Sequence, residues 1–340
     1  MEWFAHRGKI VPGPDLKPRS MTARMIKSKI VFRLACAVSL LIPFSGVAQV
    51  RPRIVAVTHG QAADSFWLVV RNGLEAAAKE TGSDLDYRAP ETFDMAAMAQ
   101  MIDAAVASKP DGLIVAIPDA AALAKSIRAA AAAKIPVIAI NSGWDSYKKV
   151  GCLMYIGQQE ENAGKKAGER MKDMGMKKVL ILNQEAGNAA LEQRIKGFKD
   201  GFEGPFHHVS MLAVPLDYME CEEAVTAYLH DHDEVDGILA LGPVAAEPAM
   251  QSLDEVGRTG KIKLCTFDIS PTVVDALVSK RIDFAVDQQQ WLQGYLPVVF
   301  LANYVKYGLL VQDDLVLTGP IFVTQEDAGR VVDLTTLGIR

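Results

Sequence analysis

Short apolar runs alternate with amphipathic segments along most of the chain. The runs are RIVAV from Arg53, GLIVAI from Gly112, PVIAI from Pro136, KVLIL from Lys178, HVSMLAV from His208, GILAL from Gly237 and KLCTF from Lys263. They are nearly continuous in apolar residues, as parallel strands covered on both faces tend to be. Between them apolar positions recur at helical spacing, for example Phe66, Val70, Leu74, Ala77 and Ala78. Repeated β-then-α order implies right-handed crossovers and an open parallel sheet with helices on both sides. One sheet would have to hold about ten strands or more, so two sheets of about five are predicted on typical sheet sizes. The division falls near Tyr155–Gln158, before the helical segment EENAGKKAGERM. The predicted class is α/β, with two doubly wound, Rossmann-like domains.

In such sheets a ligand crevice lies beyond the carboxyl ends of the strands. The first strand ends in Thr58-His59-Gly60 and leads to Asp64-Ser65-Phe66-Trp67. Later ends are Ile117-Pro118-Asp119, Asn141-Ser142-Gly143, Asn183-Gln184-Glu185, Gly242-Pro243, Phe267-Asp268 and Asp287-Gln288-Gln289. Amides, hydroxyls and isolated carboxylates dominate, a set suited to hydrogen bonding with a polyhydroxylated molecule.

Charge narrows the field. The 340 residues carry 36 basic and 41 acidic side chains, a formal net charge of −5, with no basic block beyond the N-terminal region, so nucleic acid is not an expected partner. From Met21 the order MTARMIKSKIVFR, then LACAVSLLIPFSGVAQV, is that of a secretory signal cleaved after Ala48, with residues 1–20 as an upstream extension. Its apolar stretch, interrupted by Pro43, falls short of the roughly 20 residues of a spanning helix. The mature chain is therefore expected outside the cytoplasm. Cys36 lies in the leader; Cys152, Cys221 and Cys265 are too irregularly spaced to indicate a metal site or a disulfide framework, although one bridge stays open.

Enzyme motifs that use the same sheet are missing. No GxGxxG follows a strand, GQQEENAGKK has the wrong glycine spacing for a phosphate loop, and the mature chain has no GxSxG elbow. No cofactor and no metal are expected. The cluster His230-Asp231-His232-Asp233-Glu234 sits between a helical pattern and GILAL, where a solvated connection is the plainer reading.

The succession of HGQAADSFW, AIPDA, INSG, NQEAGNAALEQRIKGF, TFDIS and DQQQWLQGY over about residues 53–325 resembles the periplasmic sugar-binding proteins of ABC transporters, in the ribose- and galactose-binding group. The resemblance implies two lobes joined by a three-strand hinge that close on a monosaccharide. It places crossings near Gly157, Gln288 and Thr318, giving lobes of 49–157 plus 289–318 and 158–288 plus 319–340. It also implies that Phe66 or Trp67 packs on the C–H face of a sugar ring while Asp64 takes hydroxyls. Helical period favours a core role for Phe66 more than for Trp67. Asn141, Ser142, Asp268 and Gln288 fall where family members bind hydroxyls. Arg194 either contacts ligand or pairs with an acid such as Glu192. Glu185 and Asn188 are binding candidates at a position where a helix cap is the alternative. Asn141-Ser142 stands where ribose-type proteins show Asp-Arg, Ile117 where they show Asn, and Gly242-Pro243 where they show Asn-Asp, so ribose itself is not implied.

The expected function is a monomeric, non-enzymatic periplasmic protein that captures a neutral monosaccharide or polyol and delivers it to an ABC transporter permease in the inner membrane. A sensor or chemoreceptor reading the closed shape is the alternative partner. A sugar-responsive repressor would need an amino-terminal helix-turn-helix in place of the leader, and a sugar-modifying enzyme would need a placed acid and base. Mass spectrometry of exported protein is expected to find Gln49 or a near neighbour as the first residue; a chain retaining a lipid-modified Cys36 would overturn the leader reading.

Overall fold

The computed structural model describes residues 50–60 and 64–340. The extension at 1–20, the leader, Cys36 and the cleavage after Ala48 lie outside the described residues. In chain order the elements are β1 (Arg53–Val57), α1 (Ser65–Thr81), β2 (Asp84–Arg88), α2 (Met95–Ala107), β3 (Gly112–Ala116), α3 (Ala120–Ala132), β4 (Val137–Asn141), α4 (Tyr147–Val150) and β5 (Met154–Gly157). There follow α5 (Glu160–Asp173), β6 (Lys178–Asn183), α6 (Ala189–Phe202), β7 (His208–Ala213), α7 (Tyr218–Asp231), β8 (Gly237–Ala240), α8 (Pro243–Glu255), β9 (Lys263–Phe267), α9 (Pro271–Val278) and β10 (Phe284–Asp287). The chain ends with α10 (Gln290–Tyr307), β11 (Leu315–Leu317), β12 (Ile321–Thr324) and α11 (Gln325–Thr336).

The strands form two six-stranded sheets, in the orders β11-β5-β4-β3-β1-β2 and β12-β10-β9-β8-β6-β7. Every pairing is parallel except β10 with β12. The fold is α/β with two doubly wound sheets, as expected. Each sheet holds one strand more than the predicted five, because β11 and β12 are too short to show a period of their own. After β5 the chain leaves the first sheet, after β10 it returns through α10 and β11, and after β11 it leaves again into β12.

The central runs Ile54–Val57, Leu113–Ile117 and Val137–Ile140 are buried, as helices on both faces require. HVSMLAV departs from that expectation. As β7 it occupies a sheet edge, and its residues are mostly exposed, Met211 to 49 %. Its apolar content reflects β propensity rather than double burial. Cys152, Cys221 and Cys265 are buried free thiols, so no bridge joins them.

Aspartates and other short polar residues stop the strands and start the helices. Asp94 accepts from the amides of Ala96 and Ala97, Asp119 from Ala122 and Asp217 from Met219 and Glu220, satisfying donors that a helix leaves open at its start. In the acidic His230–Glu234 stretch, Arg258 donates to the carbonyls of Leu229, His232, Asp233 and Val235, closing the carboxyl end of α7. Among the described residues no three His, Cys, Asp or Glu side chains converge as metal ligands.

Each sheet is flanked by a helix pair whose backbones touch. A side chain at Gly73 of α1 would overlap the Trp291 carbonyl, and one at Gly294 of α10 the Val70 carbonyl. In the second unit Gly164 of α5 meets the Arg194 carbonyl and Gly197 of α6 meets the Glu161 carbonyl. In an open helix, Gly197→Ala would raise stability by about 1 kcal/mol through helix propensity. At this seam overpacking reverses the sign, and urea melts are expected to show a loss of about 1–3 kcal/mol; a variant at least as stable as the parent would mean that the helices do not touch there.

Candidate functional site

Both sheets change direction of travel at one point, between β1 and β3 and between β6 and β8. Connections on either side of such a switch run to opposite faces and leave a crevice at the carboxyl ends of the strands. A cavity here is lined by residues that follow these strands in both sheets, the place where open α/β sheets hold small molecules. From the first sheet come His59 after β1, Asp64, Phe66 and Trp67 at the start of α1, and Asn141 at the end of β4. The second sheet contributes Gln184 and Glu185 after β6, Asn188 and Arg194 from α6, Leu241 to Val244 around the start of α8, and Asp268 after β9. Gln288, between β10 and α10, completes the wall.

Nine of the ten candidate positions thus meet in one cavity. Ser142 does not; its hydroxyl oxygen accepts the Ile117 amide at 3.1 Å and ties the ends of β3 and β4 together. His59, Gln184 and the Leu241–Val244 turn were not singled out from sequence as binding positions. Their signal was their place after a strand.

Asp64 caps α1 by accepting the Phe66 amide at 2.9 Å, and Asn188 caps α6 by accepting the Ala190 amide at 3.0 Å. Capping and lining are therefore compatible. The Asn188 carboxamide also donates to Glu185 at 2.6 Å and lies 3.4 Å from His59 Nε2. Together with the bond from the Ala189 amide to the Pro118 carbonyl, 2.9 Å, this brings the two lobes into contact across the cavity rim.

The aromatics of α1 are both buried, Phe66 to 7 % and Trp67 to 3 % exposure, and both line the cavity. Trp67 is held edge to face by Phe66 and His59, with ring centroids 5.0 and 4.8 Å away. Gly60 lies against the indole, where any side chain would overlap it. Trp67 is thus packed into the core at least as firmly as Phe66, contrary to the helical-period expectation.

Arg194 does not pair with Glu192. Its Nε and Nη2 donate to Glu160, Nη1 donates to the Leu241 carbonyl at 2.9 Å, and Asp268 Oδ2 lies 3.6 Å away. Burial alone would lower its pKa, but Glu160 and Asp268 outweigh that and hold it above the ordinary arginine value. Asp268 in turn accepts from Gln288 at 2.8 Å, and Gln288 accepts from Gln293, which reaches Thr318 at 3.1 Å. Asn141, Asp268 and Gln289 adopt left-handed backbone angles, φ of 62°, 61° and 55°. Such conformations are uncommon outside glycine, cost about 1–3 kcal/mol each and cluster at functional sites.

Burial governs the titration of this cavity. It lowers His59 to about 3, leaving a neutral ring, and raises Asp64 and Asp268 to about 7. For Asp64 the Phe66 amide opposes the rise and the Glu185 charge adds to it; for Asp268, Arg194 and Gln288 oppose it. A carboxyl whose pKa is higher folded than unfolded contributes stability below its unfolded value, lost as pH rises through the folded one. The stability of the parent relative to Asp268→Asn is therefore expected to fall between about pH 4 and pH 7. Urea melts across this range check it, and parallel profiles for the two proteins would contradict it.

Comparison with known proteins agrees with this architecture. Residues 54–309 match the periplasmic binding protein domain family. A xylose/arabinose-binding protein of Sulfolobus acidocaldarius is 25% identical over 289 residues, 81% of this chain and 71% of that protein. A D-ribose/D-allose-binding protein of Pseudomonas aeruginosa is 24% identical over 270 residues, 74% of this chain and 82% of that protein. Among solved structures, a carbohydrate transporter from Acidothermus cellulolyticus 11B in complex with myo-inositol superposes with a TM-score of 0.81 at 33% identity, covering 86% of this chain and all 100% of that one. With a match across most of its length and sugar-binding relatives on both counts, the chain belongs to the periplasmic binding protein domain family.

Proposed function

We propose that the protein captures a neutral monosaccharide or polyol between its two lobes by hinge closure, in the periplasm, and presents it to an ABC transporter permease of the inner membrane. It does so as a monomer, without catalysis, after its leader is removed near Ala48. The observation that carries this reading is the cavity itself. Carboxylates and carboxamides from both sheets converge on it beside the ring systems of Phe66 and Trp67. A sugar or polyol ring offers hydroxyls at its rim and C–H groups on its faces, which these two kinds of surface complement. An anionic ligand is disfavoured, because Arg194, the one cation among the lining residues, is already engaged by Glu160 and Asp268. The sugar-binding relatives support the substrate class, and their shared fold supports hinge closure.

A thermal-shift panel of monosaccharides and polyols is expected to find a stabilising ligand, and small-angle scattering to show compaction on its saturation. With that ligand, Asp268→Ala is expected to weaken binding by roughly ten- to a hundredfold through loss of charge-assisted bonds. Trp67→Ala is expected to weaken binding similarly and, because the indole is buried, also to lower stability by about 3–5 kcal/mol. Turnover of the ligand, absence of compaction, or parental affinity in both variants would reject the reading.

A further inference from the structure

The segment that follows α11 belongs to neither sheet, yet it touches elements of both. α11 packs on α9 and buries Ala328 and Val331 in the core of the second sheet. It stops in a left-handed turn at Gly338, φ 65°, where the Ile339 and Arg340 amides fold back onto the Leu334 carbonyl at 2.9 and 3.2 Å. The turn carries the Gly338 carbonyl to α1 of the first sheet, where the Asn72 carboxamide donates to it at 3.1 Å. A side chain at Gly338 would crowd that carboxamide. The same turn aims Arg340 at the end of β10, where its Nη2 lies 2.6 Å from Asp287 Oδ2.

Asp287 is fully buried where the chain leaves the second sheet for α10. A carboxylate in such a place needs an answering charge, and among the described residues Arg340 is the cation paired with it. Burial raises the Asp287 pKa, and Arg340 is the largest influence opposing the rise. Oδ1 of Asp287 accepts the Gln289 amide at 2.9 Å and so holds the residue whose φ is 55°. The Gln289 side chain donates in turn to the Thr318 carbonyl at 2.7 Å. Arg340 thus bears on two of the three passages between the sheets. Between Asp287 and Gln289 stands Gln288, which lines the cavity and donates to Asp268. Asn72, Asp287 and Arg340 do not line the cavity themselves. Any effect they have on binding therefore passes through the arrangement of the sheets and not through contact with an occupant.

Resting on the reading that the sheets move about these passages, we propose that residues 337–340 form a fourth, non-covalent tie between them. Arg340 acts through Asp287, and the Gly338 carbonyl acts through Asn72. Together they hold the compact arrangement and set how often the ligand-free protein presents an assembled cavity. Arg340 is in this sense a positioning residue, since apparent affinity scales with the fraction of molecules already competent to bind. Double electron–electron resonance between spin labels on Lys125→Cys of α3 and Glu220→Cys of α7, both exposed positions, reads the separation of the sheets without any sugar, and the native thiols are buried. Asn72→Ala and Arg340→Ala are each expected to shift ligand-free molecules toward longer distances. The ratio of open to compact should rise by roughly two- to tenfold, the worth of one hydrogen bond or one partly exposed ion pair, with Arg340→Lys closer to the parent. Asn72→Ala removes a single bond from a helix that accepts alanine readily, so it decides the matter even where Arg340→Ala fails to fold. A parental distribution in Asn72→Ala, with the parent itself populating two distances, would overturn the tie alone. A single distance shared by the parent and every variant would overturn ligand-free hinge motion with it.

Discussion

A guanidinium at 3 % exposure is held only if each direction it points is answered, and Arg194 is the group around which the second lobe is arranged. Glu160 meets it with both oxygens, the Leu241 carbonyl with a third bond, Asp268 from the end of β9, and the ring of Phe267 lies beneath it at 4.5 Å. These partners come from the start of α5, the end of β8 and the end of β9. One buried charge thus fixes the elements that shape half of the cavity. Burial pushes the Glu160 pKa upward and Arg194 draws it back, which is the balance expected of a desolvated pair.

The same bonds run into the three passages between the sheets. Gln158, whose side chain donates to Glu160, lies just after β5, where the chain leaves the first sheet. Gln288, bonded to Asp268, lies at the return, and Gln293 joins it to Thr318 at the final passage. Lobe separation also has to exchange the contacts that Asn188 and Ala189 make with His59 and Pro118. If the lobes close on a ligand as proposed, closing and binding draw on this common set of polar groups, and the ligand biases the two populations through its differential contacts with them.

Strands buried on both faces were readable because the physics that buries them also makes their sequence continuously apolar, as in GLIVAI and PVIAI. The edges were not. DLDYR, the β2 edge strand, is polar because one side meets water, while the apolar edge HVSMLAV imitates a central strand. The candidate site was legible because open parallel sheets gather their strand ends in a crevice, so position alone selected most of its residues. Contacts distant in sequence were not legible. Glu192, two residues before Arg194, sits on another face of α6, whereas Glu160 is brought in from a different helix. Periodicity likewise misjudged Trp67, since what seats the indole is the missing side chain at Gly60, a feature without a repeat.

Interleaved connectivity has a consequence for the timing of synthesis. The first sheet begins at Arg53, yet its edge strand β11 and the helix α10, whose glycine seam locks onto α1, are encoded only after Gln289. Emerging from the ribosome, the first lobe holds a sheet without its flank and a helix without its partner until nearly the whole polypeptide exists. Contacts that distant in sequence close slowly and late. The first lobe consequently completes its packing only once the residues after Gln289 are available, whereas β6 to β10 of the second sheet are contiguous in the chain.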